Sequence, residues 1–506
     1  MKTSFRIPDS CKLSTAEQTR YADTQTIGEF GIDSFTLMEL AASSAARHLG
    51  ERTDDNKHGL YVCGKGNNAG DALAVARYLV NDRLHTVSIY FVFGEDDLSE
   101  DTAKNLALLR KLKQMGHAVY FLDSDSEFTD HEFDYIVDGI FGTGLNSELR
   151  SPLPELIDTI NELSVPLFAM DVPSGLEADS GKLLGGCVLA EATFTFGSNK
   201  VGFHLNHSSR YTGEVIYNPL PFPSVYRKWK ASLLNEQLYQ SLPSSRRCAK
   251  HKYDGGVVHI LAGSAGLTGA AIMAAKSAWK QGAGAVFLYA PKGLLSIYEA
   301  NLPHIITVGV GDTNDEHYLL SHREMIEEKL SDKPGTLLAG PGIGREEETG
   351  KLIKTILKHH EGPAVLDADA LYFWDHLQSL PPSTTENWIL TPHIGEAVTS
   401  LGASFDDDAD RLDWSIHFKK KNQCSILLKG NPAFACIHNG ENFITAYDTS
   451  LFARAGFGDV LSGALSAFLS ISGEADQAVL HALYSGYKAF EQWDQETPPG
   501  PEDLLK

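Results

Sequence analysis

The sequence predicts an α/β protein of two domains, the first of them doubly wound around a parallel sheet. Three observations carry that expectation. The chain has 506 residues, more than one hydrophobic core normally serves. Val- and Leu-rich runs that read as fully buried strands alternate with stretches of helical period, the pattern of helices covering a parallel sheet. Between 217 and 254 this rhythm breaks, and Pro219, Pro221, Pro223 and Pro243 with the polar run 244–250 mark a linker. The expected domains are therefore 1–225 and 226–506, with the linker 226–250 counted in the second.

Each element follows from its local pattern. In the first half, 59–64, 85–93, 118–122, 135–138 and 165–171 read as strands, and 71–80 and 98–115 as helices. A second strand and helix series opens at 257–262. The two halves share no short repeat and read as different folds. In such sheets ligands bind at the carboxyl ends of strands, so the strand-end loops deserve the closest reading.

Bulk composition narrows the function classes. Hydrophobic residues make up 42% of the chain, enough for packed cores, and the formal charge of -23 argues against general nucleic-acid or anionic-membrane binding. Six cysteines, Cys11, Cys63, Cys187, Cys248, Cys424 and Cys436, form no C-x-x-C pair and read as free thiols in a reducing cytosol. Residues 1–13 lack an apolar signal core, and no run is long enough to span a bilayer. A cytoplasmic protein acting on small molecules is expected, with no nucleic-acid or membrane partner.

In the first half, three strand ends carry acids and small residues. Gly64-Lys65-Gly66-Asn67-Asn68-Ala69-Gly70-Asp71 stands between a strand and a helix, where a loop can wrap a phosphate or a carbonyl. Its paired Asn amides offer oxygens to a weakly held monovalent cation. Val137-Asp138-Gly139-Ile140-Phe141-Gly142-Thr143-Gly144-Leu145 and Met170-Asp171-Val172-Pro173-Ser174-Gly175-Leu176 repeat the arrangement. Taken singly these are turns and helix caps; on one parallel sheet they converge on one crevice.

With Leu37-Met38-Glu39 and Phe196-Gly197-Ser198-Asn199-Lys200-Val201-Gly202, these motifs stand in an order that resembles the NAD(P)H-hydrate epimerases, over most of residues 10–220. The resemblance implies a Rossmann-like domain in which Asn68, Asp138 and Ser174 hold a potassium ion. It places Asn67, Asn68, Ala69, Gly70 and Asp71, then Gly142, Thr143, Gly144, Leu145, Asn146, Ser147 and Glu148, and finally Asp171, around the hydrated nucleotide. Asp171 is the implied proton-transfer group for interconverting the R and S epimers. Leu40, Ala69 and Ala72 depart from the family pattern, and the two alanine methyls are expected to narrow the pocket.

The second half ends in Arg454-Ala455-Gly456-Phe457-Gly458-Asp459, a glycine turn that delivers an acid onto the first turn of an apolar helix. Free backbone N–H groups and the helix dipole suit an anion there, which makes Asp459 a candidate base for a hydroxyl facing a phosphoryl group, or else a helix cap. Upstream, 259–271, 338–344 and 365–371 each join a strand to a turn rich in Gly or Asp, Thr391-Pro392-His393-Ile394-Gly395-Glu396 sets a His and an acid on a loop, and Lys429-Gly430 follows a strand with a cation suited to a phosphate tail. Asp367 and Asp369 share one side if their strand persists, although a cap at Asp369 is the plainer account.

This ordered set resembles the ribokinase-like fold and, within it, the nucleotide-dependent NAD(P)H-hydrate dehydratases, over about 240–495. By that resemblance Ala270, Gly342, His393 and Asp459 contact the hydrated dinucleotide, while Lys429, Gly430, Asn431, Pro432, Ala433 and Gly458 hold the nucleotide. ADP, or ATP, is the implied phosphoryl donor, with Mg²⁺, and a homo-oligomer is expected. Phe457 replaces the usual threonine and is expected to bring a ring beside the phosphates. The resemblance implies a two-domain repair enzyme for hydrated NADH and NADPH. A ribokinase-like small-molecule kinase and a non-catalytic nucleotide sensor are the alternatives.

Overall fold

The run His58-Gly59-Leu60-Tyr61-Val62-Cys63 is apolar after its first residues and becomes a strand buried on both faces, as a central parallel strand must be. It is β2 of a computed structural model that describes residues 5–245, 251–493, 497 and 499–505. The chain folds as two units, Lys12–Ala231 and Met1–Cys11 joined with Ser232–Lys506. They divide after Ala231 instead of after 225, and the start of the chain goes with the second unit because Ile7 and Cys11 are buried in that unit's core. The expected linker also contains a strand, Ala231–Leu234, and a short helix, Glu236–Gln240, while 246–250 lie outside the described residues.

In the first unit the strands are β1 (Lys12–Ser14), β2 (His58–Cys63), β3 (Thr86–Phe91), β4 (Val119–Leu122), β5 (Tyr135–Gly139), β6 (Leu167–Met170), β7 (Ala192–Phe196), β8 (Asn199–Lys200) and β9 (Glu214–Asn218). Seven of them form one parallel sheet in the order β4-β3-β2-β5-β6-β7-β9. The short β1 and β8 pair in parallel. Alternate residues of the same strands enter two different cores: Tyr61, Val137 and Phe168 one, Leu60, Ile136 and Leu167 the other. Both faces are thus covered, the doubly wound arrangement. The chain leaves β2 for β3 and β4 and then returns to β5, so the switch point where a crevice opens lies between the ends of β2 and β5.

The second unit contains β10 (Ala231–Leu234), β11 (Val257–Leu261), β12 (Ala285–Pro291), β13 (Ile306–Val310), β14 (Thr336–Ala339), β15 (Ala364–Leu366), β16 (Trp388–Leu390), β17 (Ser425–Leu428), β18 (Phe434–Cys436) and β19 (Asn442–Thr445). They run in the order β13-β12-β11-β14-β15-β16-β17-β18-β19-β10, parallel except that β18 is antiparallel to both neighbours. Its switch point lies between β11 and β14. The helices Thr268–Lys280, Phe457–Ser472 and Ala475–Glu491 bury their apolar faces in the core beside Ile260 and Leu338. The first unit's helix Asn67–Arg83 starts four residues before the expected 71, so the Asn pair and Asp71 occupy its opening turns; Gly66, extended at φ -85° and ψ -174°, makes the turn into it.

Candidate active sites

At the switch point of the first unit the β2 and β5 loops wall a cavity of about 640 Å³. Asn67, Asn68 and Asp71 line it from one side, and Gly142, Thr143, Gly144, Leu145, Asn146 and Ser147 from another, with Asp171 at the base. Ala69, Gly70 and Glu148 are not in its wall. Ala69 and Ala72 are fully buried, and Ala72 fills the space that a side chain at Gly139 would take, so both methyls pack the helix on the sheet and leave the cavity alone. Leu40 is exposed and also stands outside the lining. The expected narrowing does not occur, because the helix starts at Asn67 and turns these positions inward.

Beneath the cavity floor, Asp138 and Ser174 are buried and tightly bonded. Ser174 Oγ donates to Asp138 Oδ1 at 2.6 Å, and Ser174 N donates to Oδ2 at 2.7 Å. Burial pushes the Asp138 carboxyl up to about 6 against those bonds. Asn68 Nδ2 donates to Phe141 O at 2.7 Å, but the amide's own Oδ1 is buried with no hydrogen-bond partner. An unmet buried acceptor is costly. Together with the carboxylate, the hydroxyl and a carbonyl it makes an oxygen donor set that suits a hard monovalent cation.

Asp171 stands in the left-handed backbone region at φ 56°, which lets its carboxylate turn back under β7. Oδ1 accepts from Lys200 Nζ at 2.7 Å and from Thr195 Oγ1 and Phe196 N at 3.3 Å each. Lys200 is fully buried and also donates to Thr195 Oγ1 at 2.9 Å, Ser198 O at 2.9 Å and Phe196 O at 3.3 Å. Asp71 has no such cation. Burial, then Asp171, Asp23 and Asp101, hold its carboxyl well above the ordinary range, with Lys200 opposing. Burial and Asp171 likewise raise Asp23. Lys200, Asp23 and Arg20 are site groups that the motif reading did not single out. A lysine in the glycine-punctuated run 196–202 is a usable signal for Lys200; nothing local marks Arg20 and Asp23, which the fold alone brings to the cavity.

In the second unit a cavity of about 680 Å³ opens at the ends of β15 to β17 and the start of helix Phe457–Ser472. Its wall includes His393, Lys429, Gly430, Asn431, Ala433, Gly458 and Asp459, together with Asp367. Gly456, at φ 94°, turns the chain into the helix without any side-chain cap, so Asp459 does not cap it. Among the described residues the Asp459 carboxyl accepts no hydrogen bond, and burial, then Asp367, push it up to about 6, with Lys429 pulling the other way. That is a carboxylate poised to take a proton near neutrality.

Asp367 and Asp369 part company, since β15 ends at Leu366 and Ala368 takes φ 49°. Asp367 Oδ1 accepts from Lys429 Nζ at 2.8 Å. Asp369 instead accepts from Gly344 N at 3.2 Å and Arg345 Nε at 2.7 Å, so it braces the 340–344 turn and does not cap its own helix. For Lys429, burial pulls the pKa down, but Asp367, Glu396 and Asp459 outweigh it and the net shift is up. A Cβ at Gly458 would sit 3.5 Å from Lys429 Nζ, so a glycine keeps the space in front of that ammonium open. Phe457 is buried and packs edge-on against Phe452 at 5.5 Å with Arg454 over its ring.

Ala270, Gly342 and Pro432 stand outside this cavity wall. Ala270 and Gly342 face each other at the β11/β14 switch point, where a Cβ on Gly342 would approach Leu267 Cβ to 2.8 Å and Ala270 Cβ to 3.2 Å. Pro432 follows a cis peptide and gives its carbonyl to Arg411 Nη2 at 2.9 Å, which ties the 429–433 loop to a buried Arg411–Asp408 pair.

Comparison with known proteins covers both units. The family model described as YjeF-related protein N-terminus matches residues 34–202, and the one described as NAD(P)H-hydrate dehydratase matches 258–503. A curated protein of Salinibacter ruber, named bifunctional NAD(P)H-hydrate repair enzyme Nnr, is 31% identical over 506 residues, covering 96% of this chain and 92% of its own. A protein of the same name from Moorella thermoacetica is 32% identical, with 90% and 87% covered. The solved ADP/ATP-dependent NAD(P)H-hydrate dehydratase of Bacillus subtilis is 22% identical over 54% of this chain and 96% of its own, with a TM-score of 0.42. Two family models in tandem and full-length relatives at these identities have one meaning: the chain belongs to the bifunctional NAD(P)H-hydrate repair enzymes.

Proposed function

We propose that this chain repairs hydrated NADH and NADPH in two steps, epimerising the R and S hydrates in the first cavity and dehydrating the S hydrate in the second with consumption of a nucleotide phosphoanhydride. The observation that carries this reading is Asp459, a carboxylate raised to about 6 that accepts no hydrogen bond among the described residues, on a glycine-capped helix start and in one cavity with Lys429. Such a base takes the proton of a ring hydroxyl as its oxygen attacks the terminal phosphorus. The phosphoanhydride bond breaks, phosphate then leaves the ring carbon with the C–O electron pair, and loss of the neighbouring ring proton restores the double bond. Lys429 and the backbone N–H groups at the helix start face the phosphate charge. ADP is the donor we favour over ATP for a fused chain of this kind.

In the first unit, Asn68, Asp138 and Ser174 would hold potassium, and their donor chemistry fits it: one orphaned amide oxygen, one carboxylate and one hydroxyl. Bound there, the cation would offset the Asp138 charge and fix the β5 loop. Magnesium would arrive on the nucleotide's phosphates, its usual mode, facing the Asp367 and Asp459 side of the second cavity. Buried free cysteines fit a reducing cytoplasm.

The test is incubation of the full chain with mixed R and S hydrates, Mg²⁺, K⁺ and either ADP or ATP, following the return of dihydronicotinamide absorbance and free phosphate. Complete recovery with stoichiometric phosphate supports both activities, and the productive nucleotide identifies the donor. A stable phosphorylated product, or no turnover, would replace this reading by a kinase or a sensor.

A further inference from the structure

Two acids reach the first cavity in opposite states of pairing. Asp171 is clamped by the buried Lys200 at 2.7 Å, whereas Asp71 has no cation or hydrogen-bond donor on its carboxyl among the described residues. We propose that Asp71 is a second catalytic residue of this site, the proton donor to the ring nitrogen, acting opposite Asp171 as base at the ring hydroxyl, with Lys200 as the positioning residue that holds Asp171. The inference rests on the reading of the first unit as an epimerase and names the acid that reading lacks.

The chemistry requires two groups. A hydroxyl on the ring carbon bonded to nitrogen makes a hemiaminal, and its configuration inverts when the C–N bond opens and recloses on the other face. Opening removes the hydroxyl proton, turns the C–O bond into a carbonyl and delivers the C–N electron pair to nitrogen, which takes up a proton. With Asp71 holding its proton and Asp171 clamped by Lys200, Asp171 accepts the first proton and Asp71 supplies the second. Reclosure runs both transfers backward on the opposite face, so each turnover restores the starting protonation states and consumes nothing.

The surroundings set the state of Asp71 and the pairing of Asp171. Asp71 faces Asp171 from the loop after β6, Asp23 from helix Ala16–Gln25, Asp101 from helix Glu100–Gln114 and the more distant Lys200 on β8. Arg20 and Lys65 complete the charged lining. Three acids against one opposing ammonium, together with burial, keep the Asp71 proton well above the usual carboxylate range. Asp171 takes the ammonium by direct contact, and that bond occupies Oδ1. A proton-holding acid in the same cavity as a carboxylate clamped by an ammonium suits an acid and base division.

The experiment follows epimer interconversion by the full chain from a pure R hydrate, with nucleotide omitted so that the second site consumes nothing. Wild type is expected to lose activity at high pH as Asp71 ionises. Asp71→Asn should lower kcat on the order of 10²-fold or more, with KM little changed and no alkaline limb in what remains. Asp71→Glu should recover part of the rate and a displaced alkaline limb. Nucleotide-dependent dehydration of the S hydrate by the same variants reports on the second unit, and a first-unit urea transition matching wild type reports that the variant folds. Wild-type kcat in Asp71→Asn, an alkaline limb that survives it, or a loss confined to KM would overturn the proposal. If Asp71→Asn does not fold, an unmoved limb in Asp71→Glu overturns it instead. Absence of interconversion in wild type beside intact dehydration would overturn the epimerase reading itself, a failure visible before any variant is made.

Discussion

Lys200 and Asp171 meet at 2.7 Å although the lysine is fully buried and the aspartate occupies a left-handed backbone conformation at φ 56°. Two costly features, a desolvated ammonium and a strained backbone, persist because each stabilises the other, and such pairs gather at functional sites.

The pair is asymmetric, and that asymmetry predicts unequal variants. In Asp171→Asn the wholly buried ammonium keeps Thr195 Oγ1, Phe196 O and Ser198 O but loses its counter-charge, so the unit should lose about 3–5 kcal/mol. In Lys200→Met the carboxylate loses its only direct cation, and the cost should be about 2–3 kcal/mol, below the value for a wholly buried charge because Asp171 is partly exposed. Both should abolish epimerisation and spare dehydration. Urea denaturation of the two variants, paired with both assays, measures the difference; equal destabilisation would refute the account of the clamp.

Asp459 predicts a trade of stability for activity. Its folded pKa of about 6 lies above the model-peptide value of 3.8, so the folded state binds the proton more tightly. Stability contributed by that proton is present below about pH 4 and is lost as pH rises through about 6. Asp459→Asn should therefore be more stable than wild type at pH 7 by about 1–2 kcal/mol, with the gain vanishing near pH 4, while dehydration disappears. In wild type, dehydration should fall away as pH drops below about 6. Denaturant titrations at both pH values and a rate–pH profile decide it.

Gly458 predicts a selective loss of nucleotide affinity. Its φ is not left-handed and an added Cβ would sit at an ordinary 3.5 Å from Lys429 Nζ, so Gly458→Ala should fold normally. The methyl would occupy the space before the ammonium, and the nucleotide KM should rise on the order of tenfold, about 1.4 kcal/mol. Gly456→Ala, by contrast, should destabilise the unit, because that position holds φ 94° and packs against Met273 and Pro501. Melting temperatures and nucleotide titrations separate the two effects.

The orphaned Asn68 oxygen predicts a potassium dependence confined to one activity. Replacing KCl by choline chloride at equal ionic strength should lower the melting temperature of the first unit and slow epimerisation, with dehydration of the S hydrate unaffected. Asn68→Ala should erase the difference between the two salts. Differential scanning calorimetry with the paired assays reads both outcomes.

Strand runs such as His58–Cys63 and the acids of the strand-end and helix-start turns, Asp138, Asp171 and Asp459, were legible locally, because burial on two sheet faces and close backbone approach each impose a residue pattern. Three features escaped a local reading for identifiable reasons. The Asn67–Asp71 segment is polar and glycine-rich, so its helical first turns left no periodic trace. Strand β10 sits among prolines and charges, and its pairing with β19 makes it a strand. Asp369 carries the signature of a helix cap, but its partners Gly344 and Arg345 come from another strand's end.

By itself the sequence determined the two-part α/β architecture, the order of the strand-end motifs and the acids they carry, since hydrophobic period and glycine placement are local properties of the chain. Only the tertiary structure decided that Ala69 and Ala72 turn away from the cavity, that Met1–Cys11 belongs with the second unit, and that Asp171 is clamped by Lys200 while Asp71 is left without a cation. These depend on which side chains distant in sequence become neighbours, and on how deeply the fold removes them from water. Desolvation and charge pairing set a carboxylate's protonation state, and no window of sequence contains either.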